Sequence, residues 1–204
     1  VLDVGAGPGK NACEFARRGM RTVALDLNAE MLAYTRTRAA TEGLAIETVE
    51  ADMSDFSIDG PVDLAAIFQG SLTVLLENDD VIAHLRCVAD ALVPGGLYVL
   101  ENEHPRDLLG RGESAESTWE ATRDGVTVRT AWGRKDDPFD PTTQIGMDTV
   151  TVEWERDGES GTLVDVRPNR QFTATEFKAL VAASGRFDVV AEYGDQAADA
   201  RLDL

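Results

Sequence analysis

The chain has 204 residues and a formal net charge of −18, from 19 Lys and Arg against 37 Asp and Glu. A field of this sign repels phosphate backbones and anionic lipid, so we expect no nucleic-acid partner. No apolar stretch reaches the ~18 residues that span a bilayer, and no signal peptide is visible. We therefore expect no membrane partner and a cytoplasmic location.

The first half of the chain alternates short apolar runs with helical patterns. Residues 1–4 and 22–26 are rich in β-branched side chains, and helical segments such as 11–18 and 29–41 separate such runs. This alternation predicts right-handed βαβ units, that is, an α/β fold with a doubly wound, mostly parallel sheet and helices on both faces. The chain begins directly on a strand-like run, so we interpret it as truncated at its N-terminus.

The pattern changes at about residue 103. Apolar and polar residues then alternate with period two, and Asp124-Gly125 and Asp157-Gly158 are hairpin-turn signals. We predict an antiparallel β insertion over residues 103–172.

Helical periodicity returns after the insertion. Thr173 and Glu176 form a capping box, Gly185 supplies the stop, and residues 187–193 resemble a strand. We predict a single composite domain with a core at 1–102, the insertion at 103–172, and a C-terminal helix and strand at 173–204 that complete the core.

The two cysteines, Cys13 and Cys87, lie far apart in helical patterns without metal-ligand spacing. We expect two buried thiols, no disulfide and no metal site.

A glycine-rich loop, Gly5-Ala6-Gly7-Pro8-Gly9, follows the first strand. Glycines allow positive φ and a close ligand approach, and the next helix offers unpaired N–H groups at its start. The loop therefore predicts a nucleotide-like ligand. Its spacing differs from the dinucleotide fingerprint G-x-G-x-x-G, and no Gly-Lys-Ser/Thr of a P-loop follows.

From Asp3 to Gly9 the chain reads Asp-x-Gly-x-Gly-x-Gly, which resembles the first motif of class I S-adenosylmethionine-dependent methyltransferases. Three further stretches match the family in order. They are a second strand that ends at Asp26, the sequence VEADM at the end of the third strand, and Pro94-Gly95-Gly96 before a fifth strand. The resemblance covers residues 1–101 and returns at 173–193. It implies a Rossmann-like sheet, S-adenosyl-L-methionine as cofactor, and methyl transfer to a small-molecule acceptor.

The resemblance also implies roles for single residues. Asp26 would accept hydrogen bonds from both ribose hydroxyls, Asp52 would pair with the adenine amino group, and Met53 would lie against the ring. Asp3 would orient the N–H groups of the loop. The expected cofactor-binding residues are Asp3, Gly5, Ala6, Gly7, Gly9, Asp26, Leu27, Asp52, Met53 and Gln69.

Each role has a structural alternative. Asp26 would be a turn acid at the end of a strand, Asp52 would cap the helical turn near Ser54, and Met53 would be an ordinary core residue. These alternatives stay open in the sequence.

His104, one of only two histidines, follows the fifth strand where the acceptor is expected. It is our candidate for a catalytic base or orienting group, although strand-end histidines commonly bond to backbone. His84 is expected at the surface or in packing. Methyl transfer depends on alignment more than on acid or base groups, so a general base is not required.

The segment Phe68-Gln69-Gly70-Ser71 follows the fourth strand. Members of the resembled family that methylate base amines or glutamine amides have Asn/Asp-Pro-Pro-aromatic at this point. Its absence argues against DNA, tRNA and release-factor substrates. Gln69 and Ser71 are candidates for the pocket lining or for polar helix-entry positions.

All three tryptophans, Trp119, Trp132 and Trp154, fall in the predicted insertion. The period-two placement of Trp132 with Val126, Val128 and Thr130 is interpreted first as the apolar face of a sheet and second as a wall that stacks on the substrate. Arg167 and Arg170 could bind an acceptor carboxylate, but exposed arginines often bind nothing specific.

Two other functions remain open: an NAD-type oxidoreductase domain and a non-catalytic cofactor-binding partner domain. The first would need dinucleotide spacing and a hydride-transfer site. We expect a monomer or homodimer.

Overall fold

The computed structural model describes residues 1–102, 117–194 and 201–202. The chain divides into two compact units. The first comprises Val1–Leu72, Glu77–Asn102 and Ala174–Leu204, and the second comprises Thr73–Leu76 and Glu103–Thr173. His104 lies outside the described residues.

The first unit contains a five-stranded parallel sheet with the order β3-β2-β1-β4-β5. The strands are β1 (Leu2–Val4), β2 (Thr22–Asp26), β3 (Ile46–Glu50), β4 (Val62–Ile67) and β5 (Leu92–Leu100). The predicted parallel α/β sheet is therefore confirmed. The strand order reverses at β1, which pairs with both β2 and β4. In open α/β sheets, ligands bind outside the carboxyl end of such a strand.

Helices flank this sheet. They are α1 (Lys10–Arg17), α2 (Ala29–Glu42), α3 (Asn78–Ala91) and α4 (Ala174–Ser184). Helix α1 contacts α2, and α3 contacts α4, as expected for right-handed crossovers on either side of the reversal. The side chain of Asn28 caps α2 by accepting from the N–H groups of Glu30 and Met31 at 2.9 and 3.2 Å.

The core lies at the centre of the parallel sheet. Leu2 and Val4 of β1, Val23 and Leu25 of β2, and Ile67 of β4 are each at most 1% exposed. Burial on both faces is typical of a central parallel strand. Because both faces of these strands are covered, polar side chains of a binding site are expected in the loops at the strand ends.

Strand β5 begins earlier than the sequence pattern indicates. Leu92 already pairs with Val62, and the register then shifts so that Leu97 pairs with Leu64. The residues between them, including Gly95 at φ 81°, form a bulge in place of a free turn.

The second unit contains an antiparallel sheet with the order β10-β9-β7-β6, in which β8 also pairs with β9. Its strands are β6 (Ser117–Arg123), β7 (Val126–Trp132), β8 (Phe139–Asp140), β9 (Ile145–Arg156) and β10 (Glu159–Arg170). The Asp-Gly pairs at 124–125 and 157–158 have positive φ at both residues, which is the hairpin geometry that the sequence predicts.

The tryptophans occupy one face of this antiparallel sheet. The register pairs Trp119 with Thr130, Trp154 with Val128, and Trp132 with Val150. Because side chains alternate along a strand, these residues share a face. The predicted placement of Trp132 on one sheet face with Val126, Val128 and Thr130 is confirmed, and the register adds Trp119 and Trp154 to that face.

The predicted strand at residues 187–193 is wrong in extent and partner. Only Glu192–Tyr193 (β11) is a strand, and it pairs antiparallel with Arg201–Leu202 (β12) instead of joining the parallel sheet. Val189 and Val190 are 41% and 66% exposed. The alternating pattern predicts extended chain, but a strand also requires a neighbour with free backbone groups.

The longest helices among the described residues have 14 residues, and none of the described helices is long and apolar enough to cross a membrane.

Candidate functional site

The glycine-rich loop leaves the carboxyl end of β1, where the strand order reverses. Gly5, Gly7 and Gly9 all have positive φ, at 64°, 51° and 70°. The N–H of Ala6 donates to the carbonyl of Leu25 at 2.9 Å, so the loop is tied to β2. The loop is thus held in one conformation by backbone contacts of the sheet.

The three glycines of this loop have different surroundings. A Cβ on Gly7 would meet nothing within 4 Å, whereas a Cβ on Gly9 would lie 2.5 Å from Thr35 Cγ2. A Cβ on Gly5 would lie 3.2 Å from Ser71 Cβ. Gly7 therefore borders open space, and Gly9 allows α1 to pack against α2. The role of Gly9 toward a cofactor stays a prediction.

Asp26 connects the end of β2 to the loop. Its Oδ2 accepts the Gly7 N–H at 2.7 Å, and its Oδ1 accepts the Asn28 N–H at 2.8 Å. A carboxylate oxygen can accept more than one hydrogen bond, so both oxygens keep capacity for ligand hydroxyls. Leu27, the next residue, is 68% exposed.

Asp3 lies at the base of the loop and is 1% exposed. Burial raises the pKa of Asp3 to about 7 from an ordinary 3.8; the backbone N–H of Ala12 opposes the shift and Asp26 adds to it. Within the described part of the chain, Asp3 Oδ2 has no hydrogen-bond partner. A buried carboxylate oxygen in this state suits a cationic ligand group or a bound water.

The turn after β3 contains two predicted site residues, Asp52 and Met53. Asp52 Oδ1 accepts from the Ser54 N–H at 2.8 Å and from its hydroxyl at 2.6 Å. These bonds lower the pKa of Asp52. Met53 Cε lies 3.8 Å from the position of a Cβ on Gly5. Asp52 therefore caps its own turn through one oxygen, as the structural alternative predicts, and Met53 borders the loop.

The segment after β4 also reaches the site. Gln69 and Gly70 have consecutive positive φ values of 56° and 66°. The Gln69 N–H donates to Glu101 Oε2 at 3.0 Å, which fixes this unfavourable backbone from the end of β5. Ser71, in the short 3₁₀ helix Ser71–Val74, donates its hydroxyl to the Phe68 carbonyl at 2.8 Å. Left-handed backbone at a non-glycine residue is often found at functional sites.

A family profile described as a methyltransferase domain matches residues 1–96. Residues 1–96 are therefore similar to a methyltransferase domain, and we refer to them below as the methyltransferase domain. S-adenosylmethionine is the cofactor of this family.

Known proteins resemble the methyltransferase domain in sequence and fold. The cypemycin N-terminal methyltransferase of Streptomyces sp is 30% identical over 131 residues, which are 64% of this chain and 53% of that protein. The structure of Streptomyces venezuelae DesVI has a TM-score of 0.79 at 23% identity and covers 98% of this chain and 79% of its own.

A third relative is the sugar N-methyltransferase KedS8 of Streptoalloteichus sp, with a TM-score of 0.74 at 19% identity. It covers 90% of this chain and 70% of its own. The present chain spans about half the length of the curated relatives it matches, with 53% and 41% for the first two.

The residues at the switch point of the methyltransferase domain fit the cofactor. The open side of Gly7 leaves room for a ligand, Asp26 keeps acceptor capacity, and the buried oxygen of Asp3 has no protein partner among the described residues. Together these groups suit a ligand with ribose hydroxyls and positive charge.

Three residues that contact this site were not singled out as site residues from the sequence. Glu101 accepts from the Gln69 N–H, and the buried His84 bonds to both the Met53 carbonyl oxygen and the hydroxyl of the half-buried Tyr98. Glu101 ends an apolar strand, which is a local signal for a site residue. The contact between His84 and Tyr98 has no local signal in the sequence that would mark either residue as part of a site.

His84 of the methyltransferase domain is expected at the surface or in packing, and the structure places it in packing. The side chain is 0% exposed, and burial lowers the pKa of His84 to about 4. Helical periodicity alone does not distinguish a polar residue on the buried face from one at its border.

Proposed function

We propose that this protein is an S-adenosylmethionine-dependent methyltransferase acting on a small-molecule acceptor. The observation that carries the proposal is the link from Asp26 to Gly7 at the switch point of the sheet. This link presents a carboxylate and a glycine loop with an open side at the place where α/β sheets bind nucleotide-like ligands. The match of residues 1–96 to a methyltransferase profile supports it.

We assign the cofactor contacts as follows. Asp26 accepts the ribose hydroxyls, Asp52 accepts the adenine amino group through the oxygen that does not bind Ser54, and Met53 packs on the base. Asp3 holds the loop and balances the positive charge of the cofactor. The contributing loop and strand-end residues are Gly5, Ala6, Gly7, Gly9, Leu27 and Gln69.

The bound cofactor supplies a methyl group on a positively charged sulfur. The protein contributes mainly by holding the two reactants in line, an effect that can provide about 7 to 11 kcal/mol of the barrier. A neutral amine acceptor needs no general base for its attack. His104 remains our candidate for an orienting group or base toward acceptors that carry a proton.

The sequence and the relatives support this acceptor class. One curated relative is named as an N-terminal methyltransferase, so an amine nitrogen is the acceptor atom to test first. The segment Phe68-Gln69-Gly70-Ser71 and the net charge of −18 favour a small molecule over nucleic acid. We further propose a cytoplasmic monomer or homodimer in which the antiparallel insertion at 103–172 supplies acceptor-binding residues.

Calorimetric titration of S-adenosylmethionine, S-adenosylhomocysteine and NAD tests the cofactor site. We expect the first two to bind and NAD not to bind. Asp26→Ala should weaken binding by at least tenfold, as expected for lost hydrogen bonds to a charged group of about 1.5 to 3 kcal/mol. Asp63→Ala is the matched control, since Asp63 is an exposed acid near the amino end of β4.

Two results would overturn the proposal. One is binding of NAD in preference to S-adenosylhomocysteine, which would indicate an oxidoreductase domain. The other is equal binding by Asp26→Ala and Asp63→Ala. Cofactor binding without turnover of any amine would favour the non-catalytic alternative.

A further inference from the structure

His84 on α3 bonds through both ring nitrogens to groups outside its own helix. Nδ1 lies 2.9 Å from the Met53 carbonyl oxygen, and Nε2 lies 2.7 Å from the Tyr98 hydroxyl. The side chain is 0% exposed. The histidine thus connects strand β5, through Tyr98, to the turn of residues 52–54, which we call the adenine turn.

The chemistry of these partners fixes the direction of both hydrogen bonds. A carbonyl oxygen only accepts, so Nδ1 carries the proton and donates to Met53. Nε2 then keeps its lone pair and accepts the hydroxyl proton of Tyr98. Burial lowers the pKa of His84 to about 4 and raises that of Tyr98, so both side chains are neutral near pH 7. The chain of donors therefore runs from Tyr98 through His84 to Met53.

A second contact holds the next residue of the adenine turn. Cys87, three residues after His84 on α3, places its Sγ 3.4 Å from the Ser54 carbonyl oxygen. Helix α3 therefore binds two consecutive carbonyl groups of this turn, at Met53 and Ser54. Residues three apart lie on the same helix face, so one face of α3 makes both contacts.

This arrangement places the other side chains of the adenine turn. With the Met53 carbonyl fixed toward α3, the Met53 side chain reaches the loop, where its Cε lies 3.8 Å from the position of a Cβ on Gly5. Asp52 is exposed and binds Ser54 through Oδ1. Packing alone would be satisfied by an apolar residue at position 84. The two directed hydrogen bonds additionally define the orientation of the turn.

We propose that His84 and Tyr98 are positioning residues that hold the adenine turn in the orientation that recognises the base of the cofactor. They contact neither cofactor nor acceptor and act through the Met53 carbonyl. The inference rests on the proposed function, because it assigns the base to the turn of residues 52–54. We call the hydrogen bonds from Tyr98 through His84 to Met53 the relay. Its loss should lower the selectivity for the adenine base while the protein still folds.

The test compares two ligands that differ only at the base. S-adenosylhomocysteine carries the adenine amino group, and S-inosylhomocysteine carries a carbonyl oxygen at that place. We expect the protein to bind the adenosyl compound at least tenfold more tightly. The measured quantity is the ratio of the two dissociation constants, which does not depend on the folded fraction because both ligands bind the same folded molecules.

The variants separate the relay from packing. His84→Leu removes both hydrogen bonds and should lower the ratio at least fivefold. His84→Asn places an amide N–H near the position of Nδ1 but loses the bond to Tyr98, so its ratio should lie between those of the unchanged protein and His84→Leu. Tyr98→Phe removes the donor to Nε2 and should give an intermediate ratio. Leu85→Ala is the control, since Leu85 is 1% exposed on the same helix but does not belong to the relay.

The outcomes are distinct. If His84→Leu and Leu85→Ala keep the same ratio as the unchanged protein, the positioning role is wrong although the cofactor site stands. If His84→Leu does not fold, an unchanged ratio in Tyr98→Phe overturns the inference in the same way. If the unchanged protein binds neither ligand, the proposed function fails and the inference fails with it.

Discussion

The carboxylate of Asp26 accepts the Gly7 N–H at 2.7 Å, although 19 positions separate the two residues in sequence. The bond joins the loop after β1 to the end of β2. Because a group of the protein itself restrains the loop, the ordering cost of binding a ligand is reduced.

Asp26→Asn tests this link. The amide keeps the shape of the side chain but can accept through one oxygen only, so either Gly7 or Asn28 faces a donor instead of an acceptor. We expect the free energy of unfolding to fall by about 1 to 2 kcal/mol and the affinity for S-adenosylhomocysteine to fall at least tenfold. Urea denaturation and calorimetry measure the two effects. Unchanged affinity would show that Asp26 is only a turn acid.

The glycines of the loop should separate stability from binding. Gly9→Ala places a Cβ 2.5 Å from Thr35 Cγ2 at a φ of 70°, so we expect a loss of about 2 to 4 kcal/mol in the free energy of unfolding. Gly7→Ala meets open space, so strain alone should cost about 1 kcal/mol while cofactor affinity falls sharply. Thermal melts and titrations of both variants provide the comparison. If Gly7→Ala and Gly9→Ala each changed stability and affinity to the same extent, Gly7 would not face the ligand.

Asp3 predicts a specific pH dependence of stability. Its pKa in the folded protein is about 7, above its ordinary value of 3.8, so the folded state binds this proton more tightly than the unfolded chain. The resulting stabilisation is complete below pH 3.8 and is lost as the pH rises through 7. Asp3→Asn should therefore gain stability relative to the unchanged protein as the pH rises, on the order of 4 kcal/mol by pH 8.

Urea denaturation of both proteins between pH 4.5 and 8 measures that difference. His84 acts in the opposite direction, because its pKa of about 4 lies below its ordinary 6.5 and stability is lost as the pH falls through this range. Both proteins contain His84, so its contribution cancels when one curve is subtracted from the other. Parallel curves would mean that Asp3 titrates normally.

Gln69 combines backbone strain with a predicted cofactor contact. Because its φ is 56°, Gln69→Gly should relieve strain and raise the free energy of unfolding by about 1 kcal/mol. Loss of the side chain should lower affinity for S-adenosylhomocysteine several-fold. Gln144→Gly is a matched control, since Gln144 has a φ of 62° in the second unit. A stability gain without an affinity loss would limit Gln69 to a backbone role.

Much of the first unit is predictable from local sequence. Apolar runs of strand length, the glycine loop and Asp26 at a strand end are separate signals that agree on a parallel sheet with a ligand at its switch point. The Asp-Gly pairs predict their hairpins because few other residues adopt positive φ at both turn positions. These features depend on residues within a few positions of one another.

The features that sequence reasoning missed depend on distant contacts. His84 reaches Met53 across 31 positions and Tyr98 across 14. Helical periodicity assigns a face to His84 but no partner, so its role at the adenine turn requires the fold. The strand pattern at residues 187–193 predicts extended chain but cannot name a neighbour, which explains its wrong assignment.

The central position of β1 also has a consequence for folding kinetics. β1 pairs with β2, about 20 residues away, and with β4, about 60 residues away. Long-range parallel pairing is slow because the entropy of loop closure is lost before the contacts form. An intermediate containing β1, β2 and β3 would have the glycine loop but would lack Ser71 beside Gly5, and its adenine turn would lack the contacts with α3. Complete cofactor affinity should therefore develop late during refolding, after most of the helical structure of the protein has formed.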